Sequence, residues 1–359
     1  MAISPPRLVA FGVLRKVESG GYASDLLLSR SASLDTRDAG LASQIVFGAL
    51  RRQSQLDYLI EYYSGRRLTL DSEVRIALRM GIYQLRYLER VPPHAAVAES
   101  VELVKRARKH SAAGFVNAVL RKVDRSPVEW PDREVALACP EWLLARWERQ
   151  YGAEAAMGIA RAALAEPVQY KRGDRIQDIG SQAIVPLLGL GPGQSFLDLC
   201  AAPGNKTAQA LECGVRAIAC DRSFHRIAPM RSLTPNLVVL DGTRPLPFAR
   251  PFDRILVDAP CSGTGTLGRN PEIKWRLTPA DLAQFHCRQV ALLASARAAL
   301  APGGLLVYST CSLEPEENQA VVASVPGALI VETIERIPGR DPGDGFQAAV
   351  IKSEQSSHG

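Results

Sequence analysis

SFLDLCAAPGNKT, residues 195–207, combines three local signals. A short apolar run closes on Asp198, small residues and a glycine follow, and a helical stretch opens over 204–213. That order is a buried strand, a tight turn and a helix start, the first half of a βαβ unit. The same grammar repeats outward in AIACD (217–221), LVVLDG (237–242), FDRILVDAP (252–260), GLLVYSTC (304–311), ALIVETI (328–334) and AAVIK (348–352), with a long helical segment at 280–300. Alternating strands and helices predict a doubly wound, mostly parallel α/β sheet. Ligands of such sheets lie outside the carboxyl ends of the strands, so the chemistry belongs at the right-hand end of each run.

Residues 5–125 read differently. Val74, Leu78, Ile82, Leu85 and Leu88 recur at helical spacing within 71–89, with Asp71 and Ser72 as candidate caps and Pro92-Pro93 as the stop. Segments 38–63, 94–109 and 111–123 carry the same periodicity, and no alternating β pattern precedes residue 165. SPVEWPDR (126–133) resembles a boundary, and a short helical stretch follows at 139–165. The predicted organisation is an all-helical domain over 1–128, a linker with a short helical segment over 129–176, an α/β domain over 177–353 and a polar tail over 354–359.

The chain has 359 residues and a formal net charge of +6, unevenly placed. Residues 1–130 hold 20 Lys/Arg against 13 Asp/Glu, while the remainder is close to neutral. A basic module beside a neutral one fits polyanion binding, although an Arg-rich solvated surface has the same composition. No apolar run approaches the roughly 18 residues of a membrane span, and no secretory signal is visible. The seven cysteines form no CxxC pair and show no Cys/His metal spacing. A disulfide framework and a metal site are therefore not expected, and a cytoplasmic location is.

The strand ends carry the candidate chemistry. Asp198, Asp221, Asp241 and Asp258 each close a run, and Asp221 stands 23 residues after Asp198, where nucleoside-binding α/β domains place the acid that holds ribose hydroxyls. The turn after Asp198 has neither the G-x-G-x-x-G fingerprint nor a Walker A pattern. Each acid alone could be a loop cap; the succession on one edge is harder to explain that way. Cys139, Cys200, Cys213, Cys220 and Cys287 fit packing roles. Cys261 and Cys311 instead fall at strand ends, where a thiol near Lys206, Arg269 or Lys274 can be activated as a nucleophile.

LDLCAAPGNKT (197–207), ACD (219–221), LDG (240–242), DRILVDAPCSGTGTLGRNPEIKW (253–275) and LLVYSTCSLEPEENQAVV (305–322) together resemble the RsmB/NSUN family of S-adenosylmethionine-dependent RNA cytosine-C5 methyltransferases. DSEVRIALRMGIYQLRYLERVPPHAAVAESVELVKR (71–106) and GFVNAVLRK (114–122) are similar to the NusB-like domain fused to such enzymes in the RsmB (Sun, Fmu) branch. The resemblance implies a Rossmann-like methyltransferase domain preceded by an all-α NusB-like RNA-binding domain. It implies S-adenosylmethionine as cofactor and 16S rRNA, free or in an assembly intermediate, as substrate, with neither metal nor membrane involved. A monomer is expected.

By the same resemblance, Cys200, Ala201, Ala202, Pro203, Gly204, Asn205 and Lys206 wrap the cofactor, Asp221 takes its ribose and Asp241 sits by its adenine. Asp258 lies between cofactor and base, Cys311 is the nucleophile and Cys261 assists release. Lys206, Arg269, Lys274, Lys105, Arg106, Arg108, Lys109, Arg121 and Lys122 are the candidate RNA contacts, and Lys206 and Lys274 are also candidates to activate Cys311. Two departures stand out. Asn205 occupies a position where the family usually has a second glycine, so a tolerance of positive φ is asked of it. Only about 30 residues separate Trp147 from Gln177, where relatives usually hold a small RNA-binding subdomain. Methylation of tRNA or another rRNA cytosine, and a catalytically weak assembly factor, are the alternative functions.

Overall fold

The computed structural model describes residues 2–67, 69–234 and 236–353. The predicted polar tail, 354–359, lies outside the described residues. The chain divides into two compact units, one comprising residues 1–166 with 267–275, the other 167–266 with 276–359. This division differs from the predicted boundaries at 128 and 176. Residues 129–166 fold with the helical unit, and an excursion from within the α/β sequence joins it.

The helical unit contains α1 (Pro5–Glu18), α2 (Ala23–Arg30), α3 (Thr36–Arg51), α4 (Gln53–Ser64), α5 (Ser72–Tyr87), α6 (Pro93–Arg106), α7 (Ala113–Leu120), α8 (Arg133–Ala136), α9 (Glu141–Tyr151) and α10 (Ala153–Leu164). The periodic residues of α5 turn inward: Val74, Ala77, Leu78 and Ile82 join Ile45, Leu56 and Val116 in one core. Burial of such a stripe, rather than propensity, holds helices of this length together. Pro92-Pro93 does more than stop α5, because Pro93 is the first residue of α6, where a missing N–H is harmless. Arg79 of α5 forms a bidentate pair with Asp57 of α4, both contacts at 2.7 Å. The excursion is anchored within this unit: Lys274 Nζ donates to the Arg51 carbonyl at 2.9 Å, Trp275 Nε1 to that of Leu50 at 2.7 Å, and Glu272 accepts from the Ala23 N–H at 2.9 Å.

The α/β unit opens with a hairpin of β1 (Lys171–Arg172) and β2 (Arg175–Ile176). Seven strands follow: β3 (Ser195–Asp198), β4 (Arg216–Asp221), β5 (Leu237–Val239), β6 (Phe252–Asp258), β7 (Leu300–Thr310), β8 (Leu329–Arg336) and β9 (Phe346–Lys352). They correspond one to one with the seven apolar runs. In chain order the helices are α11 (Ile179–Ile184), α12 (Asn205–Leu211), α13 (Phe224–Ile227), α14 (Ile273–Arg276, which begins in the excursion), α15 (Pro279–Ala298) and α16 (Gln319–Ala323). The sheet order is β5-β4-β3-β6-β7-β9-β8, parallel throughout except for β9. Alternate residues feed opposite faces, as the pleat requires. Leu197, Ile255, Val257 and Tyr308 pack with Leu292 and Leu293 of α15 on one face, while Phe196, Leu256 and Val307 pack with Ile184 and Leu188 on the other. Among the described residues, no helix is long and apolar enough to cross a membrane.

Strand order reverses between β3 and β6, which are hydrogen-bonded neighbours. A switch point of this kind opens a crevice at the carboxyl edge of the sheet. Asp198 ends β3, Asp221 ends β4, Asp258 ends β6 and Thr310, the residue before Cys311, ends β7, so these strand ends border that crevice.

Candidate active site

The turn after β3 is shaped by its glycine. Gly204 has φ +104°, and a Cβ there would stand 2.9 Å from Leu233 and 3.0 Å from Met230. The left-handed position therefore falls on Gly204, while Asn205 is the first residue of α12 with ordinary helical backbone. The expected demand on Asn205 is thus misplaced by one residue. Its side chain donates to the Ile176 carbonyl at 3.2 Å and ties the turn to the β1–β2 hairpin.

Asp198 is 1% exposed and accepts a hydrogen bond from Thr207 Oγ1 at 2.6 Å through one oxygen. Its other oxygen, Oδ1, is buried without a partner. Burial raises this carboxyl to about 7, against the Thr207 hydrogen bond and with help from the charge of Asp258. Asp221 accepts from Ser223 N at 2.8 Å and from Ala202 N at 3.3 Å, which docks the end of β4 on the Ala201-Ala202 turn. Asp241 lies beyond β5 and is held below the usual carboxylate range by the Thr243 hydroxyl and N–H. Burial and the surrounding acids push the Cys200 thiol well up, so it lines the turn as an inert group.

Beside the turn, Lys206 Nζ pairs with Asp258 Oδ2 at 2.6 Å, and Ser309 Oγ donates to Asp258 Oδ1 at 2.8 Å. Burial alone would lower the lysine. The charge and hydrogen bond of Asp258, with Asp198 behind, outweigh it and leave Lys206 raised and cationic. Cys261 Sγ and Cys311 Sγ stand 3.2 Å apart. The Cys261 thiol is pushed well above its usual range by its contact with Cys311, by burial and by the negative charge of Glu317. A cavity of about 140 Å³ collects Lys206, Asp258, Ser309 and Cys311 with Ser181 and Phe346. A thiol, an ion-paired acid and an aromatic wall thus meet in one crevice.

Residues 185–348 match the family model described as 16S rRNA methyltransferase RsmB/F, and residues 4–125 match the NusB family. Ribosomal RNA small subunit methyltransferase B of Erwinia tasmaniensis is 31% identical over 421 aligned positions, covering 96% of this chain and 98% of the relative. The chain belongs to the 16S rRNA methyltransferase RsmB/F family. The namesake from Klebsiella pneumoniae is 32% identical over 420 positions, covering 96% of this chain and 97% of its own. Alignments longer than the chain's 359 residues mean that these relatives carry stretches with no counterpart here. The crystal structure of PH0851 shares the fold at a TM-score of 0.78 and 20% identity, over 98% of this chain and all of that one. A methyltransferase homolog protein from Pyrococcus horikoshii superposes at 0.53 with 23% identity, over 63% of this chain and 100% of its own.

The cofactor of this enzyme is S-adenosylmethionine. The residues fit it: a buried, unpartnered carboxylate oxygen at Asp198 suits a cationic group, and a turn at Gly204 with no room for a side chain suits close backbone approach. One expected RNA contact is corrected. Lys274 is 1% exposed, is lowered to about 8 by burial, and spends its ammonium on the Arg51 carbonyl, so it is closed to RNA phosphate. Lys105 pairs with Glu102, Lys109 with Asp71, and Lys122 donates to the Tyr63 carbonyl, while Arg106 and Arg108 point to solvent. Arg121 is exposed beside Asn117, and Arg269 is half-buried in the excursion. Of the five cysteines assigned to packing, Cys287 is instead exposed. Glu317, Ser262 and Ser312 were legible only as neighbours of the cysteine motifs; no periodicity marks them as a unit.

Proposed function

We infer that this enzyme methylates C5 of a cytosine in 16S rRNA, holding the base through a bond between Cys311 and C6. The observation that carries the reading is the 3.2 Å Cys261–Cys311 contact beside the Lys206–Asp258 pair. C5 of cytosine is a weak nucleophile. Addition of the Cys311 thiolate to C6 makes C5 enamine-like, which splits one hard step into two easier ones. Bound S-adenosylmethionine supplies the electrophilic methyl group that C5 then takes. Asp258, fixed by Lys206 and Ser309, faces the N3/N4 edge and stabilises charge developing on the ring. The base must leave its stack to enter so small a cavity.

Release requires loss of the C5 proton and of the Cys311–C6 bond. The foremost reason that Cys261 holds its proton is its contact with Cys311. Once Cys311 is spent on C6, that contact is gone and Cys261 ionises more readily, so it can accept the C5 proton as the electron pair returns to the Cys311 sulfur. Asp198, Asp221, Asp241 and the turn 200–206 hold the cofactor in this reading. The basic helical unit supplies the wider RNA grip. Relatives named for ribosomal RNA and a NusB match over 4–125 favour this substrate over tRNA.

The test is to react purified protein with unmodified 16S rRNA and map 5-methylcytosine by bisulfite sequencing. One new modified cytosine is expected. Cys311→Ala should abolish it, and Cys261→Ala should trap an enzyme–RNA adduct that migrates slowly on a denaturing gel. Full activity of Cys311→Ala would overturn the covalent assignment, and modification of tRNA alone would overturn the substrate.

A further inference from the structure

Glu317 is fully buried, follows Cys311 by six residues and belongs to none of the roles above. One of its oxygens accepts from the Ser262 N–H at 2.8 Å and from Gln289 Nε2 at 3.0 Å. The other accepts from the hydroxyls of Ser262 and Ser312, whose oxygens are 3.0 Å apart. Ser262 directly follows Cys261, and Ser312 directly follows Cys311. The Gln289 amide also donates to the Pro260 carbonyl at 3.0 Å, the residue before Cys261. A single carboxylate thus receives four hydrogen bonds, three of them from the two cysteine-bearing loops and one from α15. Burial pushes this carboxyl up, and the four donors from the two loops and α15 work against that rise. Gly265 reinforces the clasp. Its N–H donates to the Cys311 carbonyl at 2.9 Å, and a Cβ there would stand 2.8 Å from that oxygen, so only glycine lets the loops approach this closely.

We propose that Glu317 is a positioning residue for the release step, clamping the Cys261 and Cys311 loops in one register so that the two sulfurs stay in contact. The proposal rests on the two-thiol reading given above. Its consequence is electrostatic as well as geometric. Glu317 is among the groups that push the Cys261 thiol up, so its charge helps to hold the proton on Cys261 until Cys311 is engaged. Removing the carboxylate loosens the register of the two loops, so Cys261 is no longer held where it can take the C5 proton, and the covalent adduct persists.

The experiment labels the full-length protein with iodoacetamide across about pH 6 to about pH 10 and follows the rate of Cys261 labelling by mass spectrometry, in which a midpoint lowered by about one unit reads as labelling about tenfold faster at each pH below it; it needs no RNA. Glu317→Gln keeps the shape and removes the charge, and its Cys261 labelling midpoint should fall by about one pH unit. Glu317→Asp keeps the charge and shortens the arm, so its midpoint should stay near the native one while kcat falls about tenfold with KM for RNA little changed. In the presence of 16S rRNA, Glu317→Gln should accumulate the slow-migrating adduct that Cys261→Ala accumulates. A native labelling profile in Glu317→Gln would overturn the proposal. If that variant does not fold, Ser312→Ala carries the adduct measurement, because it removes one arm of the clasp and leaves the carboxylate; native turnover there would equally overturn it. Absence of any adduct even with Cys261→Ala would count against the covalent reading, while the labelling profile would still decide the clamp.

Discussion

Asp198 keeps a buried carboxyl group with one oxygen unpartnered, a combination that folded proteins seldom retain without a use for it. Its folded-state value of about 7 lies above the ordinary aspartate value, so the folded protein binds a proton over roughly pH 4 to 7 that the unfolded chain has released. The stability this contributes is fully present below the ordinary value and is lost as the pH rises through about 7. A cationic ligand group reverses the preference, because it favours the carboxylate. Affinity for S-adenosylmethionine should therefore rise with pH up to about 7, by at most about tenfold per unit, and level off above it. Calorimetric titration between about pH 5.5 and about pH 8 checks this, and Asp198→Asn should flatten the dependence. A pH-independent affinity in the native protein would remove Asp198 from the cofactor site. The acid was legible in the sequence as a strand end. Its environment was not, because burial depends on Thr207, Asp258 and the packing around them.

Among the elements, the turn between β3 and α12 is the most constrained. Gly204 combines a left-handed backbone with neighbours, Met230 and Leu233, that leave no space for a methyl group. Gly204→Ala should cost about 1–3 kcal/mol, seen as a melting temperature several degrees lower, and should weaken cofactor binding. Gly191→Ala is the matched control, since its nearest neighbour would be Gln194 at 3.8 Å, and it should melt within a degree or two of the native protein. The runs of β3, β6, β7 and β9 announced themselves because a strand buried on both faces has an apolar signature, whereas β8 was legible from its β-branched residues although Leu329, Ile330 and Val331 are exposed. The β1–β2 hairpin gave no such signal: two residues per strand are too few for a period. Glu317 was equally silent, because a clasp between three segments has no spacing in any one of them.

Across the molecule as a whole, the excess positive charge of residues 1–130 is only partly available. Of the six predicted basic contacts there, Lys105 and Lys109 pair with Glu102 and Asp71 and the exposed Lys122 donates to the Tyr63 carbonyl, while Arg106, Arg108 and Arg121 are exposed with no such anchor among the described residues. Replacing these three arginines with glutamine in the full-length protein should weaken binding to 16S rRNA. The salt dependence of log K should become shallower by about 0.7 for each single-strand phosphate that is no longer neutralised. Filter binding over a salt series measures it, and an unchanged slope would place the RNA grip on another surface.

The order of residues along the chain was enough to specify the architecture and the candidate reacting groups. Period, turn chemistry and strand-end residues are local properties, so an alternation of buried strands and helices, four acids and two cysteines on one edge could be read directly. Folding settled which neighbour each group meets. It set Lys206 against Asp258, Cys261 against Cys311 and Glu317 under both thiol loops, and it withdrew Lys274 from solvent. Those outcomes depend on distance and desolvation between residues far apart in the chain, and both quantities exist only once the chain has folded.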